Sequence, residues 1–418
     1  MRVIVLGAGL AGVTSAWYLA EAGHEVTVVE RQQGAGLETS FANGGQISVS
    51  HPEPWANPGA PAQILRWLGR EDAPLLFRWR ADLRQWTWAL RFLCQCLPGP
   101  TRRNTMAIAA LALYSRAALR ALRDATGIHY DCLERGIAHL FFDERSFFRS
   151  REKTRELHRY GIAVEALDRA ACIKLEPALA ECTDTLAGGL YAPDDESGDA
   201  YEFTRALAAL CARHGVEFRY NAVIERIDAA AGRVLAVQVR TADGDGRALR
   251  ADAYVVATGS YAPQLVRPLG ERLPIYPVKG YSVTIPLTPD AIAPNISITD
   301  ESHRIVCSRL GHRLRIAGTA ELAGYDTSLT PARCEAIVRR ARELFPQLGE
   351  SRPGDYWAGL RPATPGNVPI IGRGRLNNLF YNAGHGTLGW TLACGSARAL
   401  TDIIDGRRPE VAFPFVGV

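Results

Sequence analysis

The chain has 418 residues, 47% of them hydrophobic and 22% charged, with a net charge of +4. This is an ordinary balance for a globular protein with room for two domains. So small a charge gives no electrostatic ground for a nucleic-acid binder, and no run of about 18 apolar residues is present for a membrane-spanning helix. Nine cysteines are scattered apart from Cys94 and Cys96, a pattern of reduced thiols in a cytoplasmic chain. No His, Cys or Asp set has metal-ligand spacing, so no metal is expected.

The apolar run 3–6 reads as a buried parallel strand, and its start at residue 3 leaves no room for a signal peptide. Gly7, Gly9 and Gly12 follow in GxGxxG spacing. Gly7 allows the tight turn, Gly9 lets backbone approach a pyrophosphate, and Gly12 lets the next helix pack on the sheet. A helix over 11–21 offers its N-terminal N–H groups to phosphate. Gly23 ends it, a second strand covers 25–29, and Glu30 stands where a carboxylate accepts from ribose hydroxyls. An acid there disfavours a 2′-phosphate, so FAD or NAD fits better than NADP.

Residues 31–48, beginning at Arg31, are rich in small and turn-forming types and leave the ligand-binding edge of the sheet, placed to run along a cofactor beyond its pyrophosphate. Residues 51–104 hold five of the eight tryptophans, and between Arg66 and Arg103 eight arginines face only Glu71, Asp72 and Asp82. In a helix over 81–97, Leu83, Trp86, Leu90, Leu93 and Leu97 form one stripe, with Trp88 and Phe92 opposite. Such a helix is either interior or at a subunit contact, or it is buried on one side and dipped into an anionic lipid surface.

A long helix is expected over 105–126, a strand over 136–142 and a charged helix over 150–160. Turn chemistry over 186–199 leads into a helix over 201–214, and Asp194, Asp195, Glu196 and Asp199 read as a solvated capping turn, since EF-hand spacing is missing. Strands are expected over 216–220 and 252–260, the latter ending in Thr258 and Gly259, where glycine permits close backbone approach to a cofactor. Residues 274–286, 303–308 and 313–318 read as a half-exposed antiparallel sheet carrying Tyr276 and Tyr281 as candidates to face a site. Gly384, Gly386 and Gly389, with Thr387 and Leu388 between them, precede a second helix N-terminus suited to an electron-rich ring edge. His385 reads as a residue that orients this loop.

The opening fingerprint, residues 38–48 (ETSFANGGQIS), residues 54–58 (PWANP) and the later Gly-Leu-Arg-Pro and glycine-rich segments resemble the bacterial D-amino acid dehydrogenases, within the D-amino acid oxidase and glycine oxidase superfamily of FAD enzymes. The resemblance covers nearly the whole chain. It implies an α/β fold with a Rossmann-like FAD-binding domain (1–50, 190–265 and 350–418) interleaved with an α+β, antiparallel-sheet substrate domain (51–189 and 266–349). It places Thr39, Ser40, Asn43, Gly44, Gly45 and Gln46 along the ribityl chain and flavin, and Val223 at the adenine. Arg361 falls at the position that clamps a substrate carboxylate, as its forked geometry suits. Tyr276, Tyr281 or His51 would line the rest of the pocket.

The implied reaction is oxidative deamination of free D-amino acids to 2-oxo acids and ammonia by hydride transfer from Cα to flavin N5, which asks for positioning more than for an acid or base. Electrons would pass to a quinone or another respiratory acceptor, with the 66–103 segment on the cytoplasmic face of the inner membrane. Alternatives are an oxidase of glycine or cyclic D-imino acids using O2, an NADPH-dependent monooxygenase, for which no second GxGxxG is present, and a non-catalytic FAD-binding redox sensor.

Overall fold

Alternate residues of the strand Arg2–Leu6 feed two different cores: Val3 and Val5 pack under the helices Leu10–Glu21 and Gly389–Ile404, while Ile4 and Leu6 join Tyr254 and Val256 on the other face. A strand buried on both faces needs apolar residues throughout, which is why this run reads as continuous rather than alternating. The computed structural model describes every residue except 72, 183, 242, 290 and 349–354. Asp72 of the arginine-rich segment and the expected boundary at 349/350 therefore lie outside the described residues.

Six strands form the first sheet, in the order Ile370–Arg373, Leu379–Ala383, Ala253–Val256, Arg2–Leu6, Glu25–Val29 and Glu217–Arg219. All pairs are parallel except the edge pair of Ile370–Arg373 with Leu379–Ala383. The chain thus visits this Rossmann-like sheet three times. Within the second visit, between Glu217–Arg219 and Ala253–Val256, a separate antiparallel meander of Val223–Ala230, Arg233–Arg240 and Gly246–Leu249 leaves it.

The second sheet has nine strands, mostly antiparallel, running from Tyr356–Ala363 through Tyr276–Pro286, Arg313–Leu322, Ile305–Leu310, Ser297–Asp300, Ile137–Phe141 and Gly188–Ala192 to Glu165–Leu167, with Leu75–Phe77 beside Arg313–Leu322. It is not half-exposed as the alternation suggests: Tyr276–Pro286 is buried along nearly its whole length. Tyr281, Val283 and Ile285 pack with Cys334, Ile337 and Val338 of the helix Pro331–Leu344, and Tyr276 and Val278 pack with Trp88 and Phe92 of the helix Leu83–Gln95. Helices thus cover both faces.

Other boundaries shift for local reasons. The long helix spans Pro98–Thr126, starting earlier because proline is well suited to its first turn. By length and composition it could cross a membrane, yet it packs on Gly389–Ile404, where Gly395 leaves no room for a Cβ against Ser115. The charged helix begins at Glu144, capped by Asp143. Residues 186–199 are not all turn, since they include the strand Gly188–Ala192. Nor are their acids all solvated: Asp199 caps Ala200–Arg213, but Asp195 and Glu196 are buried, Asp195 under Val49 and Ser50, Glu196 against Arg120 and Arg123.

Candidate active site

A single cavity of about 1960 Å³ runs from the carboxyl ends of the parallel strands to the face of the large sheet, several times the size of a pocket for a small ligand alone. At one end Gly7 turns out of its strand at φ +104°, its N–H bonded to Val29 O at 2.8 Å. A Cβ there would meet Ala257 O at 2.8 Å, and one on Gly12 would meet Gly7 O at 1.9 Å, so Gly12 buttresses the turn from behind and does not line the cavity. Gly9 is different: a Cβ on it would find only Ser40 Oγ, at 3.9 Å, and would project into open space. The uncapped N-terminus of Leu10–Glu21 faces this cradle, Leu10 N bonding Ser40 Oγ at 3.1 Å.

Glu30 lines the same end, its carboxylate accepting from Ala8 N at 2.7 Å and Gln32 N at 2.8 Å. Burial lifts its pKa above the usual range against the pull of these N–H donors. Arg31 lies 4.0 Å over the Tyr261 ring and pairs with Glu38 at 2.7 Å, fixing the loop. Val223 borders the cavity beside them.

Along the middle, Thr39 Oγ1 bonds Leu360 O at 2.8 Å, Asn43 Oδ1 accepts from Gly45 N at 3.0 Å, and Gln46 Nε2 reaches Ser297 and Thr299. Ser40, Gly44, Thr258, Gly259, Gly386, Thr387, Leu388 and Gly389 also line it. A Cβ on Gly44 would strike Val306 at 2.6 Å. Gly384 lies behind the wall, where a Cβ would meet Thr364 at 2.8 Å. The buried hydroxyl of Thr258 and the Oδ1 of Asn382 find no partner among the described residues. Two helix N-termini, an open glycine cradle and orphaned polar atoms along one channel fit a long dinucleotide carrying a flat ring.

At the far end Arg361, on the strand Tyr356–Ala363, extends along the sheet over Gly280 of the neighbouring strand, where a Cβ would lie 2.3 Å from Arg361 Cζ. Its Nη1 donates to Thr319 O at 2.8 Å. Burial pushes its pKa down to about 10, and no acid pairs with it among the described residues. A guanidinium still charged at neutral pH, half-buried and without a counter-ion among the described residues, has the chemistry to take an anion.

Not every candidate stands here. Tyr276 does not line the cavity and packs against Trp88. Tyr281 borders it, but its hydroxyl is committed to Glu321 and Thr330 on the opposite side. His51 lines the cavity and stacks on His139. His385 is buried, 3.0 Å from Ser396 Oγ, and burial lowers its pKa to about 4, so it is a neutral loop residue.

Thr319 escaped the sequence reading. Register slips between Lys279 and Tyr281, so that residues 319 and 320 together oppose Gly280. At this bulge Thr319 takes φ +55°, rare for a β-branched residue, and its Oγ1 is buried in the cavity wall without a partner among the described residues. The one available signal was Gly280 in the middle of a strand, a mark of a bulge or a close approach.

A family model described as FAD dependent oxidoreductase (DAO) matches residues 2–403. The chain is 55% identical over 416 residues to a D-amino acid dehydrogenase of Dechloromonas aromatica (strain RCB), covering 100% of both. It is 52% identical over 419 residues to a D-amino acid dehydrogenase of Paramagnetospirillum magneticum (strain ATCC 700264 / AMB-1), covering 100% of this chain and 98% of that one. Among solved structures, glycine oxidase from Geobacillus kaustophilus aligns with a TM-score of 0.76 at 23% identity over 98% of this chain and 96% of the other. L-proline dehydrogenase from P. horikoshii aligns at 0.71 with 18% identity, over 97% and 94%. At these identities the solved structures speak for the fold alone.

Proposed function

The chain belongs to the DAO family of FAD-dependent oxidoreductases, and from that premise we propose that it oxidises free D-amino acids at Cα and delivers the electrons to a quinone. FAD, when bound, supplies the hydride acceptor. Gly7, Gly9 and the Leu10–Glu21 N-terminus would hold its pyrophosphate, Glu30 its ribose, residues 39–46 and 386–389 its ribityl and ring end. The observation that carries the substrate reading is the unpaired Arg361 guanidinium over Gly280. A carboxylate docked there supplies the missing charge in a bidentate geometry and fixes the Cα that bears the amine, which is the positioning this chemistry needs.

The acceptor side of the proposal rests on the helix Leu83–Gln95. Trp88 and Phe92 are its buried face, Trp88 Nε1 bonding Ala363 O at 2.8 Å. The stripe expected from periodicity lies outside: Leu83, Leu90 and Leu97 are 78%, 62% and 60% exposed, with Leu65 of the preceding helix at 74%. Arg66, Arg91, Arg102 and Arg103 fall in the same stretch of chain, and none of them has an ion pair among the described residues. Exposed apolar side chains in an arginine-rich stretch suit an anionic bilayer surface. The cavity runs out beneath Trp67, Phe77, Trp79, Trp86 and Leu93 toward the same patch, an apolar route for a lipid-soluble quinone. We place the protein on the cytoplasmic face of the inner membrane as part of this proposal.

Anaerobic mixing of Arg361→Ala with D-alanine or D-proline is the test. The variant should keep its FAD spectrum and lose flavin bleaching; unchanged bleaching would remove the arginine from the mechanism. Peroxide formation in air, without need of a quinone or dye, would favour an oxidase.

A further inference from the structure

Three groups distant in sequence meet on the cavity wall: His51, from the loop after Gln46–Ile47, His139, inside the strand Ile137–Phe141, and Glu301, just past Ser297–Asp300. One ligand atom from each lies within 4.8 Å of the other two. Glu301 Oε1 is 2.9 Å from His139 Nδ1 and 3.7 Å from His51 Nδ1. The two rings stack nearly parallel, 9° apart in plane with centroids 5.4 Å apart, so both Nδ1 edges turn to the same oxygen.

We infer that His51, His139 and Glu301 form a binding site for one divalent transition cation of the zinc type, with its fourth position open to the cavity. Tetrahedral zinc about 2.0–2.1 Å from each donor sets neighbouring donors roughly 3.3 Å apart. Two of the three spacings, 2.9 and 3.7 Å, bracket that value and the third lies within 4.8 Å, so side-chain rotation brings the three donors to a cation.

The surroundings are those of a held ligand. Ser50 Oγ donates to the buried Asp195 carboxylate at 2.5 Å and stands 3.4 Å from His139 Nε2. Its proton being committed, the serine oxygen is placed to accept, and His139 Nδ1 meets Glu301 Oε1 in a hydrogen bond whose proton a cation would replace. A carboxylate acting on the far ring nitrogen, here through a hydroxyl, is how metal-bound imidazoles are oriented. Arg304 takes the second oxygen of Glu301 and keeps Oε1 toward the imidazoles. Three protein donors with an open position differ from the closed four-donor set of a structural zinc site, and the soft-to-borderline imidazole pair favours zinc or cobalt over magnesium or calcium. The inference does not rest on the proposed substrate.

The test uses chelator-treated holoenzyme in a Cys94→Ser background, because that thiol is exposed and would compete. Titration with Co2+ should give one equivalent bound, with the visible d–d bands of a tetrahedral site, displaced by Zn2+. His51→Ala and Glu301→Gln should each lose that equivalent while keeping the flavin spectrum. Absence of stoichiometric uptake by the parent protein, or uptake unchanged in either variant, overturns the site.

Discussion

The guanidinium of Arg361 lies on the backbone of Gly280, in the space a side chain at 280 would fill. An arginine so placed is set by sterics as well as charge. Gly280→Ala should therefore displace the fork with little effect on FAD content, lowering kcat/KM for a D-amino acid by about tenfold or more, since roughly 1.4 kcal/mol of lost binding is a factor of ten. Arg361→Lys keeps a charge but not the paired donors, and its loss should be larger, on the order of a hundredfold. Steady-state kinetics with a dye acceptor reads both, and an unchanged kcat/KM in Gly280→Ala would contradict the steric argument.

Thr319 holds Arg361 through its carbonyl while its own hydroxyl has no partner. Thr319→Val keeps the shape and the carbonyl. The ligand-free protein should be unchanged or more stable, by up to about 1 kcal/mol, because a buried orphan hydroxyl is removed. Carboxylate inhibitors should bind more weakly if that hydroxyl serves the ligand. Thermal melts with and without inhibitor separate the two effects.

Gly9 and Gly12 share one motif but face different things. Gly9→Ala projects into open cradle, so the apoprotein should melt normally and lose FAD affinity. Gly12→Ala meets Gly7 O at 1.9 Å and should destabilise the fold itself. Melting temperature against FAD dissociation constant discriminates them, and a normal melt for Gly12→Ala would refute the packing role.

Burial holds the His385 pKa at about 4, against about 6.5 in an unfolded chain. Between those values the unfolded imidazole binds a proton that the folded one refuses. Stability should thus fall as pH drops through this window and level off below it, by at most about 3 kcal/mol. His385→Gln should flatten that part of the urea-denaturation profile, and an unaltered slope would assign it to other groups.

The exposed stripe offers the cleanest surface test. Leu83→Glu, Leu90→Glu and Leu97→Glu combined should leave the melting temperature nearly unchanged, as these side chains are mostly in solvent. Flotation with anionic vesicles should fall sharply, and high salt should weaken the parent's binding. Undiminished flotation would take the patch out of any membrane contact.

Much of the cofactor end was legible along the chain, because strand, glycine turn, helix, strand and acid are successive and each obeys a local rule. Gly7, Gly9 and Glu30 need no distant partner to be read. The Leu83–Leu97 stripe was legible as a stripe but not as inside or outside, since periodicity gives a face and not what covers it. Tyr276 packs away from the cavity and Tyr281 borders it with its hydroxyl turned away, because one face of their strand meets Pro331–Leu344 and the other meets Trp88, and strand alternation alone does not name the neighbours.

By itself the sequence determined the dinucleotide-binding unit, the interleaved α/β architecture and, through the family resemblance, FAD, and it singled out Arg361 as a candidate. Tertiary structure alone decided what Arg361 rests on, why Thr319 is held at φ +55° and that His51, His139 and Glu301 share one wall. The physical reason is range. Turns, caps and helix starts are governed by residues a few positions apart, whereas a bulge register, a buried charge without a partner and a ligand triad arise only when segments far apart in the chain are packed against one another.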